Sequence, residues 1–329
     1  VSVIRKIQAR FRSLFMAGLL LVMAIIMPTY AEKTPISNPD ASFLWKISYE
    51  GKDVGALLGT VHIGTKESAI SDQAALLIDQ STHLVTEIQI VFPSIQDEQR
   101  IYSQAIFSAF KPETRTIEER FTPQYAEGVR DALRKQRIVL LAQQDQLSNE
   151  FILMMMMLDI GKEYHADFGM EKLLRTYISG KTIENVGLEE IGESLEYYVE
   201  ASKPLSKIMI EAWLDNQALL QGLNKDLIQS YEKNDIEEFT QVMNQMEGIS
   251  LHADENEADI AHYYDVLLFN RNKAWLKTLS PLLKENAKTE NFHFIAVGAF
   301  HLLSDEGMVE LLREEGFELT PLFDKRELD

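Results

Sequence analysis

Cysteine is absent from all 329 residues, which removes disulfides, thiolate metal sites, cysteine nucleophiles and lipid attachment at a cysteine. Positive charge is scarce: 32 lysines and arginines stand against 51 aspartates and glutamates, a net charge of −19. The acidic residues are spread through helical stretches instead of forming one block. Such an exterior is solvated, repels phosphate backbones and anionic lipid heads, and speaks against nucleic acid as a partner. There is no Gly-x-Ser-x-Gly elbow, phosphate-binding loop or dinucleotide fingerprint, so those enzyme classes lose their support. Short-period repeats and low-complexity tracts are missing as well, which argues against a solenoid or a fibrous chain.

Charge is also missing from one apolar run, Leu14 to Met27, which follows Arg5, Lys6, Arg10 and Arg12. Its 14 residues are too few to cross a hydrocarbon core of about 30 Å comfortably as a helix. Pro28 and Thr29-Tyr30-Ala31 follow, with small residues where a signal peptidase reads. Residues 1–31 are therefore expected to be a signal peptide cleaved after Ala31; an uncleaved anchor or a buried helix is the competing reading. No Arg-Arg pair marks a twin-arginine route. The mature chain would carry a net charge of −23, reside in the periplasm or outside the cell, and keep no stable membrane span.

What remains reads as α/β. After a polar leader (residues 32–42), strands are expected at Phe43–Glu50 and Val54–Val61, joined by a turn at Gly51-Lys52-Asp53. A helix capped by Ser71 or Asp72 and a strand over His83–Val91 follow. Residues 97–291 are overwhelmingly helical in pattern. They include a start at Thr122-Pro123, a cap at Ser148, a methionine run Met154–Met157 taken as core, and a small strand near Thr182–Val186. Further helices are expected over 204–221, 223–233, 235–247, 255–270 and 272–287. Phe292–Val297 is a buried strand, Asp305–Glu315 a helix with Gly316 as its C-cap, and Phe317–Phe323 a closing strand. Strand, Gly-x-x-His, helix, strand thus occurs near each end of one domain (32–329). The expected fold is α/β, with two β-α-β halves from the chain ends (43–96 and 292–323) sharing one sheet around a large helical insertion.

In open α/β sheets ligands sit at the carboxyl ends of the strands. His62 and His301 each stand three residues after a glycine, Gly59 and Gly298, at such an end. Two imidazoles and a carboxylate make an open metal site. Glu87, inside the apolar frame Leu84-Val85-Thr86-Glu87-Ile88, is the natural carboxylate, either as a ligand or as a general base on a metal-bound water. A packed, hydrogen-bonded histidine is the ordinary alternative at each position. His83, His165, His252, His262 and His293 read as surface or structural.

The segments Leu58-Gly59-Thr60-Val61-His62 and Val297-Gly298-Ala299-Phe300-His301 resemble the paired signatures of the TraB/GumN family, which includes the Tiki membrane proteases. Thr86-Glu87-Ile88, Gly187-Leu188-Glu189, Asn270-Arg271-Asn272 with Trp275, and the run from Gly307 to Phe317 resemble further elements of it. The resemblance implies a divalent-metal-dependent hydrolase, peptidase-like, with manganese or cobalt favoured, on His62, His301 and Glu87; zinc is open as well from the chemistry of the imidazoles. Arg271 would pair with a site carboxylate or stabilise an oxyanion, or else form a structural salt bridge to Glu189 or Glu171. Asn272 would orient a ligand or cap backbone. Two positions depart from the pattern: Gln89 replaces an acidic residue, and Gly169-Met170-Glu171 carries glutamate in place of aspartate. A non-catalytic periplasmic binding protein for a peptide, haem or metal is the alternative on the same scaffold.

Overall fold

The computed structural model describes residues 42–135, 146–157, 164–251, 256–289 and 291–322. The expected signal peptide and His252 lie outside the described residues.

Six strands form one sheet: β1 (Leu44–Tyr49), β2 (Lys52–Thr60), β3 (His83–Ile88), β4 (Glu184–Glu189), β5 (His293–Gly298) and β6 (Glu318–Pro321). Their spatial order is β4-β3-β5-β2-β1-β6. The strands from β4 to β2 are mutually parallel, whereas β1 runs antiparallel to both β2 and β6. The chain ends do share one sheet, but they interleave instead of lying side by side. β5 enters between β2 and β3, and β6 crosses to the far edge beside β1. The reason lies in composition: His293-Phe294-Ile295-Ala296-Val297-Gly298 is buried along its whole length, which suits a central parallel strand covered on both faces.

The β1–β2 hairpin turns on Glu50 and Gly51, both at positive φ (50° and 74°). This is tighter than the expected three-residue turn, and its twist matches the flanking strands. Between β2 and β3 lies α1 (Asp72–Gln80), with the Ser71 hydroxyl accepting from the Ala74 amide. The insertion then supplies α2 (Ile95–Ala109), α3 (Ile117–Arg120), α4 (Pro123–Lys135), α5 (Asn149–Met157) and α6 (Met170–Ile178) before β4. After β4 come α7 (Ile191–Ser202), α8 (Ser206–Glu232), α9 (Ile236–Leu251), α10 (Glu257–Tyr264) and α11 (Asn270–Thr289). A short α12 (Met308–Glu314) precedes β6.

Several expected boundaries move. α8 is one helix where two were expected. Its break falls at Asn216, whose side-chain amide bonds the Ala212 carbonyl, and not at Gly222. β4 extends through Gly187-Leu188-Glu189. α10 and α11 are joined by a π-helical stretch, Asp265–Phe269, an extra-residue device that re-aims the helix face after it. α12 begins only at Met308, because a 3₁₀ turn (Ala299–Leu302) follows β5.

Alternate residues of the sheet feed two cores, as the pleat requires. Leu84, Phe294 and Ala296 pack with Met154, Met156 and Phe239 of the insertion. Val85, Ile295 and Val297 pack with Trp275, Leu279 and Leu283 of α11 and Leu312 of α12. All four methionines of the run are buried, in keeping with core. No helix among the described residues is long and apolar enough to cross a membrane.

Candidate functional site

The register of the parallel strands aligns their carboxyl ends. Thr60 is opposite Gly298, Thr86 opposite Ala296, and Ile88 opposite Glu189. Glu189, Glu87, Gly298 and His62 therefore follow one another along one sheet edge, with His301 in the 3₁₀ turn after β5. Gly298 lies at their centre. A Cβ placed on it would be 3.0 Å from Glu87 Oε1, 3.6 Å from His301 Cδ2 and 3.9 Å from His62 Nε2. The two histidines from opposite ends of the chain gather with Glu87 around one backbone point that only glycine leaves open.

Glu87 is 6% exposed. It accepts the Gly298 amide on Oε1 at 2.6 Å and Arg271 Nη2 on Oε2 at 2.7 Å. Burial pushes its carboxyl up, but Arg271 foremost, then the histidines and the Gly298 amide, pull it down to about 2. It is a carboxylate at any ordinary pH.

Arg271 reaches this edge from α11. It also donates Nε and Nη2 to Glu189 at 3.0 and 2.6 Å, and Nη1 to the Leu267 carbonyl at 2.9 Å and to His301 Nε2 at 3.1 Å. With Glu87 these account for all five guanidinium hydrogens. Arg271 is ion-paired with Glu189 and with the site carboxylate Glu87 together, and each of its donors has an acceptor. Trp275 stacks under the guanidinium, 4.6 Å from ring centroid to Cζ, and its indole N–H bonds Glu189.

His301 Nδ1 is 2.6 Å from Asn272 Oδ1. Because an amide oxygen only accepts, the proton is on Nδ1 and Nε2 accepts from Arg271. Burial, Arg271 and His62 together bring its pKa down to about 3 despite the opposing pull of Glu87, so the ring is neutral. Asn272 is held in turn by the Glu306 carbonyl at 2.9 Å.

His62 differs from His301. Its Nδ1 is 2.8 Å from Glu171 Oε1 as an ion-pair contact not aligned as a hydrogen bond, and Thr60 Oγ1 donates to the same oxygen at 2.5 Å. Nε2 has no hydrogen-bond partner although the residue is 2% exposed. Burial opposes protonation of the ring, yet Glu171 and then Glu87 raise its pKa above 6.5. α6 carries Glu171 to this position because Gly169 lets the chain touch β2's exit. A Cβ there would sit 2.2 Å from the His62 carbonyl oxygen, and the Met170 amide bonds the Val61 carbonyl at 2.9 Å. Gly59 is likewise close-packed, with a would-be Cβ 3.0 Å from Ala299 Cα.

The donor set does not fit a divalent ion. Of the three expected ligands, Glu87 carries a hydrogen bond from Arg271 on one oxygen and from the Gly298 amide on the other, and His301 gives its free nitrogen to Arg271, so only His62 Nε2 is without a hydrogen-bond partner. Among the described residues no three histidine, aspartate or glutamate side chains are grouped as ligands for one ion. A family model described as the TraB/PrgY/gumN family matches residues 43–321.

The chain belongs to the TraB/PrgY/gumN family. No curated protein and no solved structure matches it. In this family member Glu171 sits beside His62, a partnership that sequence order does not reveal, and Glu189 sits beside Arg271, one of the two partners named for it from the sequence. Sequence reading missed Thr60, which clamps Glu171. It also missed Glu98 and Arg175, whose bidentate pair (2.7 and 3.1 Å) ties α2 to α6. The i,i+4 spacings Glu98/Tyr102 and Glu171/Arg175 were the available signal. Of the histidines read as structural, His83 and His293 stack at the opposite sheet end, 4.6 Å apart, and His165 caps the 3₁₀ helix Ala166–Phe168.

Proposed function

We propose that this family member is a hydrolase of acyl bonds, peptide or ester, in which His62 is the general base. The observation that carries the reading is the buried, unpartnered Nε2 of His62 beside Glu87 and Gly298, on a ring whose Nδ1 faces the Glu171 carboxylate. A buried polar atom without a partner is uncommon and calls for an explanation. A base held by an orienting acid with its other nitrogen free supplies one.

In this reading a water proton passes to Nε2 as the water oxygen bonds to the acyl carbon. The imidazolium lies between Glu171 and Glu87, both of which favour the cation. The proton then moves to the leaving group as the acyl bond breaks. Glu87 stays charged throughout because Arg271 holds it so. His301 and Asn272 fix Arg271, and no step passes through a metal ion. The expected export signal places this chemistry outside the cytoplasm. A second reading is ligand capture without turnover on the same atoms.

Turnover of a mixed peptide and ester library by the purified protein separates the two. His62→Gln is expected to lose about 10²–10⁴-fold of any activity while keeping its fold by circular dichroism. A wild type that holds a ligand but cleaves nothing establishes capture, and full activity in His62→Gln removes the base from its role.

A further inference from the structure

Each of the two site histidines has a polar group in front of Nδ1, and each of those groups is itself held. For His301 the group is Asn272, whose amide nitrogen bonds the Glu306 carbonyl at 2.9 Å. For His62 it is Glu171, with Oε1 2.8 Å from Nδ1. The hold on Glu171 is narrower. Among the described residues its carboxylate receives one hydrogen bond, from Thr60 Oγ1 to that same Oε1 at 2.5 Å, and Oε2 receives none.

The backbone brings the two segments together without setting the carboxylate. The Met170 amide bonds the Val61 carbonyl at 2.9 Å and Gly169 rests on the His62 carbonyl, which places the start of α6 beside the exit of β2. Three side-chain torsions of the glutamate remain, and a carboxylate touching the imidazole through one oxygen is free to turn away from it. Thr60 and His62, two positions apart at the end of β2, both meet Oε1, as alternate side chains of extended backbone do. Packing does not explain the Thr60 hydroxyl. The residue is 2% exposed, and valine has the same shape, suits a buried strand and strips no polar group of water. The one proton of the hydroxyl is spent on Glu171.

We propose that Thr60 is a positioning residue: its hydrogen bond keeps the Glu171 carboxylate in front of His62 Nδ1 and so leaves Nε2 as the bare nitrogen. Oε1 has two lone pairs; the Thr60 proton takes one, and the other faces the proton on Nδ1. Without the hydroxyl the carboxylate swings, and neither ring nitrogen is favoured by it. Such support behind an orienting acid is what a precise site requires. The proposal rests on the reading of His62 as the base for its meaning in catalysis, but not for its test.

The test is the ring-nitrogen NMR signature of His62 in the full chain, made with isotope-labelled histidine and recorded at about pH 9, where an imidazole is ordinarily neutral. The His62 signals are those lost in His62→Gln. In the wild type the form protonated on Nδ1 is expected to predominate. Thr60→Val should lower its excess over the Nε2 form by about tenfold, the worth of a hydrogen bond to a charged group. Thr60→Ser, which keeps the hydroxyl, should restore it. In a Glu171→Gln background Thr60→Val should change nothing further, because Thr60 acts through Glu171. Thr60→Ala reads the same loss if the valine variant does not fold. A wild type protonated on Nε2, a signature unchanged in Thr60→Val, a Thr60→Ser variant that behaves as Thr60→Val, or a further shift in the Glu171→Gln background each overturns the proposal. Failure of the hydrolase reading shows separately, as a protein with this signature and no turnover.

Discussion

Replacing Arg271 by methionine keeps most of the side-chain volume and removes the cation from between Glu87 and Glu189. In the wild type the carboxyl of Glu87 is held at about 2 instead of 4.5, with burial opposing the shift and Arg271 its chief cause. Through proton linkage that displacement is worth roughly 3 kcal/mol at neutral pH. Breaking a buried ion pair by deleting one partner costs about 3–5 kcal/mol, so the two routes agree. The sign with pH follows. The wild-type contribution is complete above 4.5 and is lost as pH falls from 4.5 to 2. In Arg271→Met burial goes unopposed by the guanidinium, Glu87 titrates above 4.5, and the variant weakens as pH rises through that range. The stability gap is therefore expected to be smallest near pH 2, to widen as pH rises, and to reach about 3–5 kcal/mol by about pH 7. Urea unfolding followed by circular dichroism across that range measures it. Adding Glu87→Gln should recover part of the loss at pH 7, because one unpaired charge is gone. A gap under about 1 kcal/mol at neutral pH, or one independent of pH, would refute the account of Arg271 as the cation that permits these carboxylates to be buried.

Gly169→Ala forces a methyl against the His62 carbonyl, at 2.2 Å without adjustment. It is expected to cost about 1–3 kcal/mol and to lower any activity by moving Glu171 off His62; an unaltered melting temperature would contradict the close approach. At the other end of the sheet, burial and then His83 hold the His293 pKa at about 4, below 6.5. Stability from this group is present above 6.5 and lost as pH falls toward 4, so His293→Gln should flatten part of the acid limb in that window. A limb of unchanged slope would remove His293 as its source. If His62 is the base, activity should rise with pH on a limb displaced above 6.5, since burial is outweighed by Glu171 and Glu87; Glu171→Gln should move that limb to lower pH. Equilibrium dialysis against manganese, cobalt or zinc is expected to leave less than stoichiometric metal, because Arg271 and the Gly298 amide hydrogen-bond Glu87 and Arg271 also occupies His301 Nε2. One bound ion per chain, lost in His62→Ala and His301→Ala, would reverse that reading.

The pattern of apolar runs was enough to indicate an α/β chain with strands near each end, because a buried parallel strand such as Phe294–Val297 needs unbroken apolar sequence. The two Gly-x-x-His segments and Glu87 were legible for the same reason: polar residues interrupt apolar frames at strand ends. Pairing was not legible. That β5 enters between β2 and β3, bringing His301 to His62, depends on which edges are free to bond once the hairpin and the crossover have formed. Likewise Glu171 and Glu189, similar in local sequence, have different partners because α6 reaches the exit of β2 while α11 brings Arg271 and Trp275 to the end of β4. The charge of a buried group is set by what surrounds it in space. The amino-acid order could therefore name two histidines, a glutamate and an arginine, but only the tertiary arrangement left the Nε2 of one imidazole without a partner, made the other a neutral acceptor, and turned the arginine into a fully engaged counter-ion.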